Sequence, residues 1–414
     1  EGSASAARAL ADLADNYGEG TDWWEANRSN PDALAAAREF IQSSLANVAI
    51  GMYQRAKKRD VLEGRTAAVK MDYSEAADRF SAYLKSDPFV SNQEENQWYL
   101  AISLSKAGRH AESIAEYASL ASKEGHPYRE ASRYEIMKGW KKILINTYGK
   151  VVKENEGPPS DAVRERVVTA PNGSERSVYQ LGEAHAAFIE AADAIRSVTF
   201  EATEVNKPYN AALESDRVAL HYLPAQILYE HGRYEDARPR LSELIELYPN
   251  TKEGGFSANL LVNTYVDEGD LETVQALLTK FSTEDFGNDP SKFAERQKEF
   301  RGQLEMTVYE LAQRLQKAGK LVAAANAFLS FTEEFPEAEL ASKALYSSAV
   351  NYNGAGKKAR ANELYEEFIN RYPDDEKSDG LTFDIAKNAA DVLEFDKALE
   401  YYGRIIKYFS GGKN

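Results

Sequence analysis

The chain has 414 residues, 50 Lys plus Arg against 66 Asp plus Glu, a formal net charge of −16 and no cysteine. So acidic a chain argues against nucleic acid or anionic lipid as its main ligand, since both demand basic patches. The missing Cys excludes disulfide scaffolds, thiolate metal sites and cysteine nucleophiles. The length exceeds the usual size of a single compact core unless the architecture is elongated. Its most apolar short stretch, 45–53, is broken by Asn47 and Gly51 and is too short to span a bilayer. The chain starts at Glu1 rather than Met, so a start or targeting segment, and with it a lipid anchor, is expected to have been removed.

In chain order, residues 1–56 read as an N-terminal helical segment with a break at Asn27 to Pro31, where Asn30 precedes Pro31 as an N-cap. Residues 57–127 introduce a repeat. Its inter-helix turn falls at Gly108, and 37 residues earlier the register lands on Met71, ahead of Tyr73 and Ala76. Residues 128–214 lose the repeat and read as a diverged helical insertion with a polar loop. Helices are expected over Tyr128 to Lys153 and Val178 to Val205. Between them Pro171-Asn172-Gly173 signals a turn, and the flanking Val167-Val168 and Ser177-Val178-Tyr179 allow a short hairpin. Residues 215–414 form an array of about five copies, with turns at Gly232, Gly269, Gly319 and Gly356. The step is 37 residues except for 50 between Gly269 and Gly319, where a 13-residue insertion around Phe286 to Pro290 reads as a loop. A further step lands on Leu393, where the Gly is lost but the pattern persists.

Each copy has a physical logic. Behind the turn comes a small residue and, four later, a bulky one: Ala76 with Phe80, Ala237 with Leu241, Ala324 with Phe328, Ala361 with Tyr365, Ala398 with Tyr402. Residues four apart share a helix face, so the Ala admits a partner helix and the large side chain fills the adjoining space. Gly at the turn supplies the left-handed conformation that ends the first helix. Pro88, Pro249, Pro336 and Pro373 then stop the second.

This alternation of small and bulky residues about a turn Gly, closed by Tyr-Pro or Phe-Pro, resembles the tetratricopeptide repeat, whose usual period is 34 residues. The longer period here comes from residues added after the Pro. In that it is similar to repeats of bacterial envelope proteins: BamD-like and Tol-Pal-associated proteins and the lipoproteins of gliding-motility complexes. The likeness covers roughly 57–127 and 215–414. It implies an all-α, right-handed solenoid of helix-turn-helix repeats, periplasmic or held at the outer membrane, that binds protein or peptide partners.

A search for chemistry finds none that holds together. The five His (His110, His126, His185, His221, His231) never take zinc-helix spacing, and no metal or cofactor site is expected. His110 and His231 fall at inter-helix turns and read as solvated cap residues. Gly354-Ala355-Gly356-Lys357-Lys358 lacks the leading Gly and the final Ser or Thr of a phosphate loop, so it reads as a repeat turn. No catalytic residue is assigned.

The candidate binding surface is the concave side, lined by the first helix of each pair. Ten residues before each turn stands an aromatic: Trp98, Tyr222, Tyr309, Tyr346 and Phe383, with Asn259 the exception. Four residues on come Ile102, Gln226, Asn263, Gln313, Val350 and Lys387, an amide-rich track beside the aromatic one. Two readings stand: a groove for an extended peptide or helix, or aromatics that only stitch neighbouring repeats. Only Lys343 and Lys387 lie nearby, which argues against acidic tails as ligands.

The function expected is that of a non-enzymatic scaffold in an envelope complex. The alternative is a glycan-binding protein like the SusD-type outer-membrane lipoproteins, for which 24 Tyr, 17 Phe and 4 Trp offer stacking surface. The repeat register is open to test. Ala237→Trp or Ala361→Trp should overpack a helix contact and cost about 1–3 kcal/mol. A thermal melt of either variant that matched the parent would show the register to be wrong.

Overall fold

A computed structural model describes residues 12, 16–86, 92–152, 156–170, 173–283 and 290–411. Pro88, Pro171, Asn172 and most of the expected loop from Phe286 to Pro290 lie outside the described residues. The described residues are all-α apart from one two-stranded sheet. It divides into two compact units, Glu1–Val167 with Ser177–Arg240, and Val168–Arg176 with Leu241–Asn414. In each, helical hairpins stack in chain order, the build of an α-solenoid. No described helix is long and apolar enough to cross a membrane.

The first unit opens with α1 (Asp22–Ala26) and the long α2 (Pro31–Glu63). Asn30 caps α2, its side chain accepting from Ala33 N–H at 3.2 Å, with Pro31 in the first turn. There follow α3 (Ala67–Ser86), α4 (Gln93–Ala107), α5 (His110–Ala121) and α6 (Arg129–Tyr148). Tyr53, Tyr73, Phe80, Leu100 and Leu104 form a core among α2, α3 and α4. A second cluster joins Trp98, Tyr117, Leu120 and Ala131. Fully burying a ring such as Phe80 stabilises by about 1.5–3 kcal/mol.

The sequence register errs at Met71. The turn into α3 lies at Gly64, whose φ is +71°, and Thr66 caps the new helix through Val69 N–H at 3.2 Å. Met71 sits on an exposed face of α3, because a glycine and a capping threonine upstream had already ended one helix and begun the next.

The segment 128–214 also departs from expectation. The helix predicted over 128–153 is α6, ended by Gly149 at φ +80°. The hairpin forms, as β1 (Arg164–Thr169) and β2 (Glu175–Tyr179). The single helix predicted over 178–205 does not. Val178 and Tyr179 belong to β2, where Tyr179 N–H donates to His231 C=O at 2.9 Å. α7 (Glu183–Asp193) is short, and irregular chain leads from it to α8 (Lys207–Glu230). That stretch is held by side chains of α8: Asn210 bonds both the N–H and C=O of Phe200 at 3.2 Å, and Arg217 donates to Arg196 C=O at 2.8 Å. Long-range hydrogen bonds override helical periodicity there.

After α9 (Tyr234–Leu247), the second unit continues with α10 (Lys252–Glu268), α11 (Leu271–Thr283), α12 (Pro290–Lys317), α13 (Leu321–Glu334), α14 (Ala341–Gly354), α15 (Lys358–Arg371), α16 (Ser378–Asp391) and α17 (Phe395–Gly411). Successive hairpins are stapled by buried polar groups. Ser348 Oγ donates to Ala325 C=O at 2.8 Å, and Asn362 Nδ2 donates to Ile385 C=O at 3.1 Å. Pro249, Pro336 and Pro373 each follow two residues after the last residue of a second helix.

The turn glycines Gly108, Gly232, Gly269, Gly319 and Gly356 all have φ between +67° and +89°. Leu393 holds the same conformation, at +66°, without being glycine. Its side chain is 72% exposed and makes little use of the position. Left-handed backbone costs an L-residue roughly 1–2 kcal/mol, so Leu393→Gly should stabilise the last hairpin by about 1 kcal/mol. Urea unfolding followed by circular dichroism checks this; a lower midpoint would refute it.

Candidate functional site

The residues of the predicted groove do not share one environment. Trp98 is buried, stacked on Tyr128 at 4.9 Å and edge-on to Tyr117 at 5.2 Å. Tyr222 and Gln226 are buried as well. These three are therefore interior residues and do not line a groove. Tyr309 and Tyr346 are half-buried, packed on Phe328 at 5.3 Å and Phe368 at 5.8 Å. Phe383 is exposed and meets Tyr402 at 6.3 Å. In each case the ring leans on an aromatic of the next helix, so the track works chiefly as a clasp within the hairpin. Asn259 and Gln313 are half-buried, and Asn263 and Lys387 are exposed.

The structure brings together a different constellation, wholly within the first unit. A cleft of about 480 Å³ lies among the C-terminal end of α6, residues 150–152 and 156–160, α7 and the end of α8. Val151, Val152, Pro158 and Pro159 supply apolar wall, and Tyr148, His185, Glu230 and His231 supply polar atoms. His185 stacks on Tyr148 with ring centres 5.1 Å apart and meets His231 edge-on at the same distance. Tyr148 donates to Asp161 at 3.3 Å, and Glu230 accepts from Gly157 N–H at 2.9 Å, tying the loop to α8.

His231 corrects the expectation of a solvated cap. It ends α8, but its ring is buried, with Nδ1 at 2.7 Å from Ile227 C=O and Nε2 buried without a hydrogen-bond partner. Strand β2 covers this turn. Gly232 has to be glycine, because a Cβ there would run into the Ser177 carbonyl. His110, the other expected cap, is half-buried. Sequence reading missed the cleft because its members come from 148, 157–161, 185 and 230–231, joined only by the crossing of β2. The one local signal was His185, in an insertion that had lost its repeat.

Burial pushes the His185 imidazole down to about 4; the neighbouring His231 adds to this, and Asp161 opposes it. Burial also lowers His231, against the pull of its bond to Ile227 C=O. Both rings are neutral at pH 7. Burial raises the Tyr148 hydroxyl, and the Asp161 charge adds to it. Two uncharged imidazoles, a carboxylate and apolar walls make a place for a ligand that donates hydrogen bonds. No group of three or more His, Asp or Glu side chains that could hold a metal ion occurs among the described residues.

Two segments, residues 222–251 and 343–375, match the tetratricopeptide repeat family. Those two segments carry the tetratricopeptide-repeat pattern. No curated protein matches it in sequence. Among solved structures it is similar to the TPR domain of P58(IPK), at 14% identity over 86% of this chain and 91% of that one, with a TM-score of 0.22. It is also similar to yeast Tom70, at 12% identity over 97% and 76% of the two chains, with a TM-score of 0.21. Scores this low carry no argument; the repeat assignment rests on the two matched segments and the helical hairpins themselves.

The buried His pair of this repeat protein predicts a pH dependence. The folded state keeps His185 neutral, while the unfolded chain takes up a proton from about pH 6.5 downward. The stabilising term is therefore complete above that value and is lost as pH falls toward about 4. The urea midpoint of the parent should fall between about pH 7 and pH 5, and His185→Gln should flatten that fall. Parallel profiles for the two proteins would contradict the assignment.

Proposed function

We propose that this repeat protein is a non-enzymatic scaffold of a bacterial envelope complex, periplasmic and held at the outer membrane, where it gathers protein partners. Tetratricopeptide repeats mediate protein–protein contacts, and the matched segments put such repeats in this chain. The observation that carries the envelope reading is the 37-residue step, with its added residues after Tyr248-Pro249, Phe335-Pro336 and Tyr372-Pro373, as in the envelope repeats it resembles. The described hairpins bury most of their aromatics, and the chain is strongly acidic, which suits contact with proteins better than with nucleic acid.

The glycan-binding alternative needs exposed rings to stack on sugars. Trp98 and Tyr222 are buried, and Tyr309 and Tyr346 are clasped against neighbouring rings, which takes away most of that platform. Fractionation of the native host, followed by affinity isolation from the envelope fraction, tests the proposal. The expected result is co-purification of at least one protein in stoichiometric amount. A cytosolic location, or consistent micromolar binding on a carbohydrate array with no protein recovered, would overturn it.

A further inference from the structure

Four residues of the first unit border two spaces at once. Tyr148, Pro159, His185 and His231 line both the cleft of about 480 Å³ and a smaller one of about 110 Å³, which Asp161, Gln180 and Gly182 also line. Of these, His231 has one ring nitrogen committed and one not. Its Nδ1 lies 2.7 Å from Ile227 C=O, and a carbonyl can only accept. In the neutral ring Nδ1 therefore carries the proton and Nε2 the lone pair. The residue is 2% exposed, and Nε2 meets no donor of the chain. A buried acceptor without a donor is the exception in folded proteins and calls for an explanation.

The charges around these spaces have one sign in excess. Among the described residues that line the cleft, Glu156 and Glu230 stand against one cation, Lys150, which is exposed. The smaller space adds Asp161 and, among the described residues, no cation. Glu230 is buried, and its bond from Gly157 N–H at 2.9 Å fixes where the carboxylate lies. Burial keeps both imidazoles neutral at pH 7, so neither repels a cation. Val151, Pro158 and Pro159, with the stacked rings of Tyr148 and His185, supply apolar surface. A cleft of this size falls within the range of small-molecule sites.

We infer that this cleft binds a small organic cation that carries N–H donors on an apolar body, of which a primary amine is the simplest. Its ammonium group donates to His231 Nε2 and balances the charge of Glu230, and its apolar body lies against Val151, Pro158 and Pro159. A primary ammonium has three N–H donors, enough for an imidazole nitrogen and a carboxylate together, and a bond from a charged donor is the stronger kind. Water can donate to Nε2 but brings no charge to Glu230. A quaternary ammonium brings charge but no donor. The bare acceptor and the acidic wall together select a cation with N–H groups. The inference does not rest on the scaffold reading, and the failure of one leaves the other standing.

The test titrates tryptamine into the full chain by isothermal calorimetry and follows the imidazole signals of the five His by nitrogen NMR. Saturable binding is expected with a Kd on the order of 0.1 mM. It should move the signals of His185 and His231 and leave that of His110 in place. The trimethylammonium analogue of tryptamine has the same charge without the ammonium donors, and should bind the parent at least about tenfold more weakly. Glu230→Gln keeps an acceptor for Gly157 N–H and removes the charge, so it should weaken tryptamine by at least about tenfold as well. A thermal melt checks that this variant folds, and the comparison of the two ligands needs no variant. Absence of saturable binding, equal affinity for the two ligands, or shifts confined to other His would overturn the inference. A Glu230→Gln protein that melts and binds as the parent does would also overturn it. So would tighter binding of a short end-blocked peptide with one central lysine, which would make the ligand a side chain of a partner protein.

Discussion

A helical hairpin cannot bury both of its apolar faces by itself, and most of this structure follows from that. The turn glycine folds two helices together and closes one face. The other is closed only by the next hairpin, through fully buried alanines such as Ala324 and Ala361 and the rings beside them, Phe328 and Tyr365. Buried polar staples, Ser348 to Ala325 C=O and Asn362 to Ile385 C=O, hold each hairpin in register on its neighbour. Surface is what the arrangement produces.

The segment that loses the repeat meets the constraint differently. The β-hairpin and the short α7 cover the end of α8, and long-range bonds replace helix stacking: Tyr179 to His231, Arg233 to Tyr179 C=O, and Arg240 paired with Asp193 at 2.6 Å. Space is left between residues 156–160 and α8, and two neutral imidazoles line it. Where the repeat holds, the chain offers faces; where it lapses, the chain offers a cleft.

How far the sequence could be read depended on the range of the interactions involved. Left-handed glycines, helix-stopping prolines and alanine–aromatic pairs act within one or two helical turns, so the positions from Gly232 to Leu393 were legible from spacing alone. Leu393 keeps the turn conformation even without glycine, because the helices on either side impose it. Met71 was misread for the converse reason: a 37-residue step was extrapolated past Gly64 and Thr66, whose local signals outrank a count. The helix expected over 178–205 failed because a partner strand and a carbonyl from residue 231 compete for the same backbone groups.

The candidate groove shows the same limit. Periodicity placed Trp98, Tyr222, Tyr309, Tyr346 and Phe383 on corresponding positions of first helices, but it could not say which side of each ring meets solvent. By itself the sequence determined the repeat, its hairpin unit, the identity of the small and bulky packing positions and the acidic character of the surface, all of which depend on neighbours within a few dozen residues. Only the tertiary structure decided that Trp98 and Tyr222 are interior and that His185 and His231 meet. Those outcomes depend on which distant segment lies opposite a given face, and a one-dimensional pattern carries no information about that.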